Sequence, residues 1–371
     1  MSSYKRPDQK IKKWVEGAEK RIVNILTERF VMSQSMLVAK ISEAGPKRFN
    51  PHIVNQALNK LVSETVLIKK DKPFENKVFI PCYHLKHTDQ DLVSNRLNEL
   101  FPYLDWLKNN KNQNHNKFHK RLGYALEIPV GQRLNALVEK SEKKGVRLDG
   151  EFKYLSIMND GEVQCKKEPP QIINRVKIKG RMDFILKTGN DTLVIECKNV
   201  RNWIYPNNHA FKKALWVALD TDAILVYIAR RHHPVMNIFR LAGIITHDTH
   251  HQIYPYNERD MAEQIRNKDV IGYHDICISE ENGEKRYEDF KKRLDKFINT
   301  NLLKVASKSR KAFDLSKDYL RKWLDRKISL TELYQSVKEN RRLFHKNFIQ
   351  NIPEDIQAND PPLSDLKDIY I

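Results

Sequence analysis

Apolar and polar residues follow one another along this chain with two periods, and the switch from one to the other marks out its elements. Ile22, Val23, Leu26 and Phe30 recur at helical spacing. Ser33 stands where a helix cap is expected, ahead of Met36, Leu37, Ala39 and Ile41, and Gly45-Pro46 stops that helix. Asn50-Pro51 opens a third helix that buries Ile53, Val54, Ala57, Leu58 and Leu61. Residues 66–70 and 77–81 predict two strands around a turn at 71–76. A helix over 89–108 follows, with Leu92, Leu97, Leu100, Leu104 and Leu107 as its stripe, and the wholly polar run 108–117 breaks the pattern. Helical spacing returns at Leu122, Leu126, Val130, Leu134 and Leu137. Strands are predicted over 152–158, 180–186 and 193–199, the last two joined by a turn at 188–191. A helix over 210–219 puts Phe211, Ala214, Leu215 and Ala218 on one face, and the unbroken apolar run 223–228 predicts a strand buried on both sides. From 287 to 350 the pattern is helical and lysine-rich; beyond it the chain turns acidic around Pro361-Pro362.

Three helices and a β-hairpin, in that order, are the plan of a winged helix-turn-helix, which we place at 11–87. The outer face of its third helix carries His52, Asn55, Gln56, Asn59 and Lys60. In DNA-binding versions this helix enters the major groove, where Asn and Gln read adenine edges. Other winged helices use the same face for protein partners, and both uses stay open. A connecting helix and linker occupy 88–117. Alternating strands and helices over 118–285 predict an α/β core, α+β overall: a mixed sheet flanked by helices. A basic helical region over 286–350 and an acidic tail over 351–371 complete the chain.

Charge narrows the partners. The chain has 371 residues, and 66 Lys and Arg against 47 Asp and Glu leave a formal charge of +19. That excess suits a polyanion, DNA first. No apolar stretch is long enough for a bilayer, so no membrane partner is expected. The first residues lack an apolar signal core. Cys82, Cys165, Cys197 and Cys277 are scattered without C-x-x-C spacing, against a disulfide framework or a zinc ribbon and for a reducing cytoplasm.

The strands at 180–186 and 193–199 carry the chemistry. On a strand, Glu196 and Lys198 project from one face and Cys197 from the other. Two charges at the end of an apolar run need a bound ion or a reaction, because burying them unpaired is costly. Asp183 on the adjacent strand adds a second carboxylate. Two carboxylates plus water and phosphate oxygens are what Mg²⁺ takes, and a lysine beside them can hold the attacking water or meet charge building on phosphorus. The residues point to phosphodiester hydrolysis.

Asp183, twelve residues, then Glu196-Cys197-Lys198 resembles the PD-(D/E)XK nuclease superfamily, whose restriction-endonuclease-like core is a mixed sheet flanked by helices. The resemblance covers residues 118–245. It implies Mg²⁺, with Mn²⁺ as a substitute, bound by Asp183, Glu196 and the backbone carbonyl of Cys197, with Lys198 assisting the water. Many members add a glutamate from the preceding helix; Glu127 matches it. The usual proline before the first acid is Met182 here. The resemblance also implies a DNA endonuclease, a homodimer where both antiparallel strands are cut, and a place in restriction or defence, or among the partner subunits of a recombination system. A regulatory or assembly protein with a silent nuclease core, and a structure-specific or RNA nuclease, are the alternatives.

Further cations and aromatics are candidates for DNA contact. Lys212 and Lys213 flank the site on their helix. Arg230 and Arg231 follow the buried strand and suit a phosphate or a solvated strand end. Trp203 and Tyr205 suit base stacking or loop anchoring. His247-Asp248-Thr249-His250-His251 is dense in His and Asp but has no zinc spacing, and reads as a polar loop. The acidic tail is a candidate competitor for a basic groove.

Overall fold

The computed structural model describes residues 7–43, 48–73, 79–109, 115–143, 148–152, 154–157, 163–167, 169–189, 191–279 and 284–344. The chain forms two compact units: residues 1–119 with 258–276, and residues 120–257 with 277–371. Among the described residues, no helix is long and apolar enough to cross a membrane.

The first unit opens with α1 (Pro7–Arg29), β1 (Val31–Ser33), α2 (Gln34–Glu43), α3 (Pro51–Ser63), β2 (Leu67–Pro73), β3 (Phe79–Leu85) and α4 (Gln90–Asn109). Ile22, Leu26, Leu37, Ile41, Val54 and Leu58 are fully buried between the first three helices. Phe30 leaves α1 in a left-handed conformation (φ 59°) and ends 39% exposed, outside the stripe it seemed to extend. Ser33 Oγ accepts the Met36 N–H at 3.4 Å, as a cap does. Ser33 also closes β1, a strand the pattern did not signal, which pairs with β3 in a sheet of order β1-β3-β2. The hairpin is longer than expected. β2 continues through Asp71-Lys72-Pro73 and β3 runs on to Leu85, because Ile80, Cys82 and Tyr83 are all buried and β1 offers β3 a second ladder. In α4 the buried stripe is Val93, Leu97, Leu100 and Leu104, with Leu92 turned out.

The second unit begins within α5 (His115–Glu142), which continues through Pro129. The expected strand over 152–158 is two strands, β4 (Leu148–Phe152) and β5 (Tyr154–Ile157), the latter paired with β6 (Val163–Lys167). A short ladder of β7 (Ile172–Ile173) and β8 (Val176–Lys177) leads to β9 (Phe184–Thr188) and β10 (Asp191–Lys198). α6 (His209–Asp220), capped by the Asn208 side chain, leads to β11 (Ile224–Ala229), and α7 (Asn237–Leu241) to β12 (Ile245–Asp248). The main sheet has the order β12-β11-β10-β9-β4. β10, β11 and β12 run parallel; β9 and β4 are antiparallel to their neighbours. Alternation divides it into two faces. Phe184, Leu186, Leu193, Ile195, Cys197, Val226 and Ile228 pack with α5 residues such as Leu126 and Val130. Ile185, Val194, Leu225 and Tyr227 pack with Phe211, Ala214 and Leu215 of α6.

After β13 (Gln252–Tyr254) the chain returns to the first unit through α8 (Arg259–Arg266), so the core does not run unbroken over 118–285. Arg96 of α4 donates to the Val270 carbonyl at 3.2 Å, and Tyr273 Oη lies 3.1 Å from Ser35 Oγ. β14 (Ile276–Ile278) leads back beside β13, where the Ser279 N–H donates to the Tyr254 carbonyl at 2.7 Å. α9 (Lys285–Asp295), a π-helical stretch (Lys296–Asn301), α10 (Leu302–Leu324) and α11 (Leu330–Phe344) follow.

These helices are not an appended basic region. Phe290, Leu294, Ile298 and Leu302 complete the core on the α5 face; Phe313, Leu320, Trp323, Leu333 and Val337 complete it on the α6 face. α10 thus starts in one layer and ends in the other, passing the edge strand β12. Gly243 makes the passage possible. A Cβ there would lie 2.4 Å from the Phe313 nitrogen and 2.6 Å from the Ser309 oxygen, at a φ of +91°. Lys304, Lys308 and Lys311 stay on the outside. The tail over 351–371 lies outside the described residues.

Candidate active site

The register of β9 and β10 builds the site. Phe184 pairs with Ile195 at the end of the β9–β10 ladder, which brings Asp183, the residue before β9, to the end of β10. Ile195 packs on the α5 face, so Glu196 and Lys198, at alternate positions of β10, turn to the α6 face. Cys197 goes the other way, 3% exposed in the α5 layer. Asp183 Oδ2 accepts the Cys197 N–H at 2.8 Å, which fixes the carboxylate at the end of the ladder. The Lys198 ammonium pairs with Glu196 Oε1. Glu127, 7% exposed on α5, lays its Oε1 over Gly123. Its helix is tied to the end of β10 by Asn199. The buried Asn199 amide donates to the Leu122 carbonyl at 2.6 Å, and its oxygen accepts the Ile253 N–H at 3.0 Å. Asn199 carries no charge and stands outside the charged trio; only its position directly after Lys198 could have drawn attention to it.

Electrostatics bind these groups into one site. Burial works to lower the Lys198 pKa, but the charges of Glu196 and Asp183, the Glu196 hydrogen bond and Glu127 together outweigh it and raise it. The ammonium keeps its proton. The Cys197 thiol is pushed well up by burial first, then by Asp183, Glu127 and Glu196. That thiol is inert, so the residue can serve a ligand only through its backbone. Three carboxylates act on a single ammonium, a surplus of negative potential that suits a divalent cation. Among the described residues, no three or more His, Cys, Asp or Glu side chains are already grouped about one ion position. The donor chemistry nonetheless fits Mg²⁺, which takes one or two carboxylates and fills its shell with water.

The other candidates fall in different places. Asn55 is half-buried and accepts from Gln34 Nε2 at 3.0 Å; Gln56 is half-buried and Asn59 exposed. Lys60 is engaged by Glu19 at 2.8 Å. Lys213 is exposed and sits against Gly180, three residues before Asp183. Lys212 lies over the Trp323 ring at 5.2 Å, its pKa lowered by burial and by Arg326. Arg230 is no surface clamp: it is 1% exposed and donates to the Arg201 carbonyl. Arg231 is half-buried over the Trp203 ring at 5.9 Å. Tyr205 stacks on His233 at 4.5 Å and Trp203 leans on it at 6.1 Å, which anchors their loop.

Residues 247–251 are a built cluster rather than a polar loop. His247 stacks on Phe297 at 4.1 Å, and burial holds its pKa down at about 4. Asp248 Oδ1 lies 2.5 Å from His232 Nδ1 and also accepts the His232 N–H at 2.8 Å. Burial works to raise the Asp248 pKa, but the His232 hydrogen bond and the charges of His232 and Arg240 hold it well below the carboxylate range. Thr249 Oγ1 donates to the His251 carbonyl at 2.9 Å. Comparison with protein-family models, with curated proteins and with solved structures finds no match to this chain.

Proposed function

We propose that the chain is a Mg²⁺-dependent DNA endonuclease with a restriction-endonuclease-like core, hydrolysing phosphodiester bonds, and that residues 11–87 are a winged helix that positions it on DNA. One observation carries the proposal: the Asp183 carboxylate accepts the N–H of Cys197, the residue between Glu196 and Lys198, which share one face of β10. Asp183, Glu196, Glu127 and the Cys197 carbonyl would hold Mg²⁺, with Mn²⁺ as a substitute. When bound, the ion would polarise a phosphoryl oxygen and acidify a water. The carboxylates around Lys198 raise its pKa, which favours the ammonium. It offers its N–H groups to orient the water and its charge to the phosphate. Lys213, exposed beside Gly180, would meet the backbone of the same DNA.

The test is cleavage of plasmid, single-stranded DNA and RNA with Mg²⁺ by the parent, Asp183→Ala and Lys198→Ala. Both variants are expected to lose about a hundredfold or more in rate. Unchanged cleavage in both overturns the mechanism. A second reading, a DNA-binding assembly protein with a silent core, draws on the fact that both carboxylates already have partners, the Cys197 amide and Lys198. A parent that binds DNA and cuts none of the three substrates favours it. Preference for RNA over both DNA forms favours an RNA nuclease.

A further inference from the structure

α3 buries Ile53, Val54, Ala57, Leu58 and Leu61 and turns His52, Asn55, Gln56 and Asn59 away from them. Asn55 and Lys60 stand at the two flanks of that polar face. Lys60 is taken by Glu19 of α1. Asn55 is taken by Gln34, the first residue of α2, whose Nε2 donates to Asn55 Oδ1 at 3.0 Å. Both side chains are half-buried, and among the described residues neither has a further side-chain hydrogen bond. The start of α2 is itself held on both sides of Gln34. Ser33 Oγ accepts the Met36 N–H at 3.4 Å and lies 3.1 Å from Ser35 Oγ, which lies 3.1 Å from Tyr273 Oη. Gln34 thus reaches across from an anchored backbone, as a side chain that orients another must.

The bond settles which way the Asn55 amide faces. Oδ1 is turned to Gln34, and Nδ2, on the other arm of the planar group, is turned away. An amide oxygen has two lone pairs, so Oδ1 keeps one acceptor site beside the Nδ2 donors. An acceptor and a donor side by side complement adenine N6–H and N7 in the major groove, whereas guanine offers acceptors at both places. An amide free to turn over would also donate to guanine. One held by Gln34 meets guanine O6 with its own oxygen, and turning over breaks the 3.0 Å bond.

We propose that Gln34 is a positioning residue for base recognition: by holding the Asn55 amide it makes the winged helix read adenine and reject guanine at one position of a DNA duplex. The inference rests on the proposed placement of residues 11–87 on DNA and not on cleavage. Asn55 makes the contact, and Gln34 sets its orientation from α2. Phosphate contacts alone carry no sequence information, so this pair turns binding driven by charge into binding that prefers a sequence.

Selection from a pool of DNA duplexes randomised through their centre tests this, with the full chain and with EDTA in place of Mg²⁺ so that nothing is cut. The bound fraction is sequenced. The parent is expected to enrich adenine over guanine about tenfold or more at one position, and Asn55→Ala to lose that preference. Gln34→Met keeps the size and removes the donor. It is expected to bring the adenine-to-guanine ratio at that position down to about threefold or less, while affinity for the unselected pool, set by phosphates, stays the same. Gln34→Lys, which keeps a donor toward Asn55 Oδ1, should hold the ratio near the parent's. Equal ratios in Gln34→Met and the parent, or a preference that survives Asn55→Ala, overturn the inference. A parent that binds the pool with no preferred base overturns it alone. A parent that does not bind the pool overturns the placement of the winged helix on DNA and the inference with it, and leaves the cleavage assay to judge Asp183, Glu196 and Lys198.

Discussion

His247 shows how one half-buried side chain sets the behaviour of its neighbourhood. Burial holds its folded pKa at about 4, below the 6.5 of an ordinary histidine. The fold keeps the ring neutral while the unfolded chain takes a proton. Its contribution is therefore whole above pH 6.5 and is lost as pH falls toward 4, by up to about 3 kcal/mol. Urea unfolding at pH 7, 5.5 and 4.5 should show a midpoint that drops through this window. His247→Phe, which keeps the stack on Phe297, should flatten the drop, and an unchanged slope would count against it. Asn199 is a second such residue. Asn199→Ala removes the tie between α5 and the end of β10 and leaves the Leu122 carbonyl and the Ile253 N–H without it. A loss of about 2–3 kcal/mol is expected, with faster hydrogen exchange around Glu127. Asp183, Glu196 and Lys198 were legible because charges at the end of an apolar strand break the period-2 pattern. Tyr227, His232 and Asp248 were not. Within their own segments they look like a buried strand and polar loops; the parallel register of β11 and β12 and the His232–Asp248 hydrogen bond bring them together.

Between elements, the decisive contact is α10 against the chain just before β12. Gly243→Ala would press a Cβ into the α10 backbone at a φ that side chains avoid, and a loss of about 3 kcal/mol or more is expected. Gly189→Ala is the control: its φ is +53° but nothing lies within 4 Å, so only about 1 kcal/mol should go. Thermal melts of the two variants compare them directly, and equal shifts would deny the close approach its role. Helices and strands with strong periodicity were legible, among them α3, α6, β10 and β11. β1 was hidden because three residues between two helices carry no period of their own. The C-terminal helices were legible as helices but not as core. Their lysines dominate the composition, whereas Phe290, Phe313, Leu320 and Trp323, spaced along one side, decide where they pack.

At the scale of the whole molecule, a charge of +19 predicts how binding responds to salt. The logarithm of the DNA affinity should fall linearly with the logarithm of salt, by about 0.9 for each phosphate neutralised on duplex DNA; a flat response in a filter-binding or anisotropy titration would remove the argument from charge. The division of the chain carries a different consequence. The N-terminal unit includes residues 258–276, and the points where that excursion leaves and rejoins the second unit are adjacent, Tyr254 accepting from Ser279. During synthesis residues 1–119 leave the ribosome with a piece of their own unit, 258–276, still untranslated. β4 to β12 must emerge before that piece arrives. The nascent N-terminal unit therefore waits, open along the side where α4 meets α8, until that piece is made, and the second unit waits in turn for α9 to α11, which complete its core later still: the two units mature in alternation.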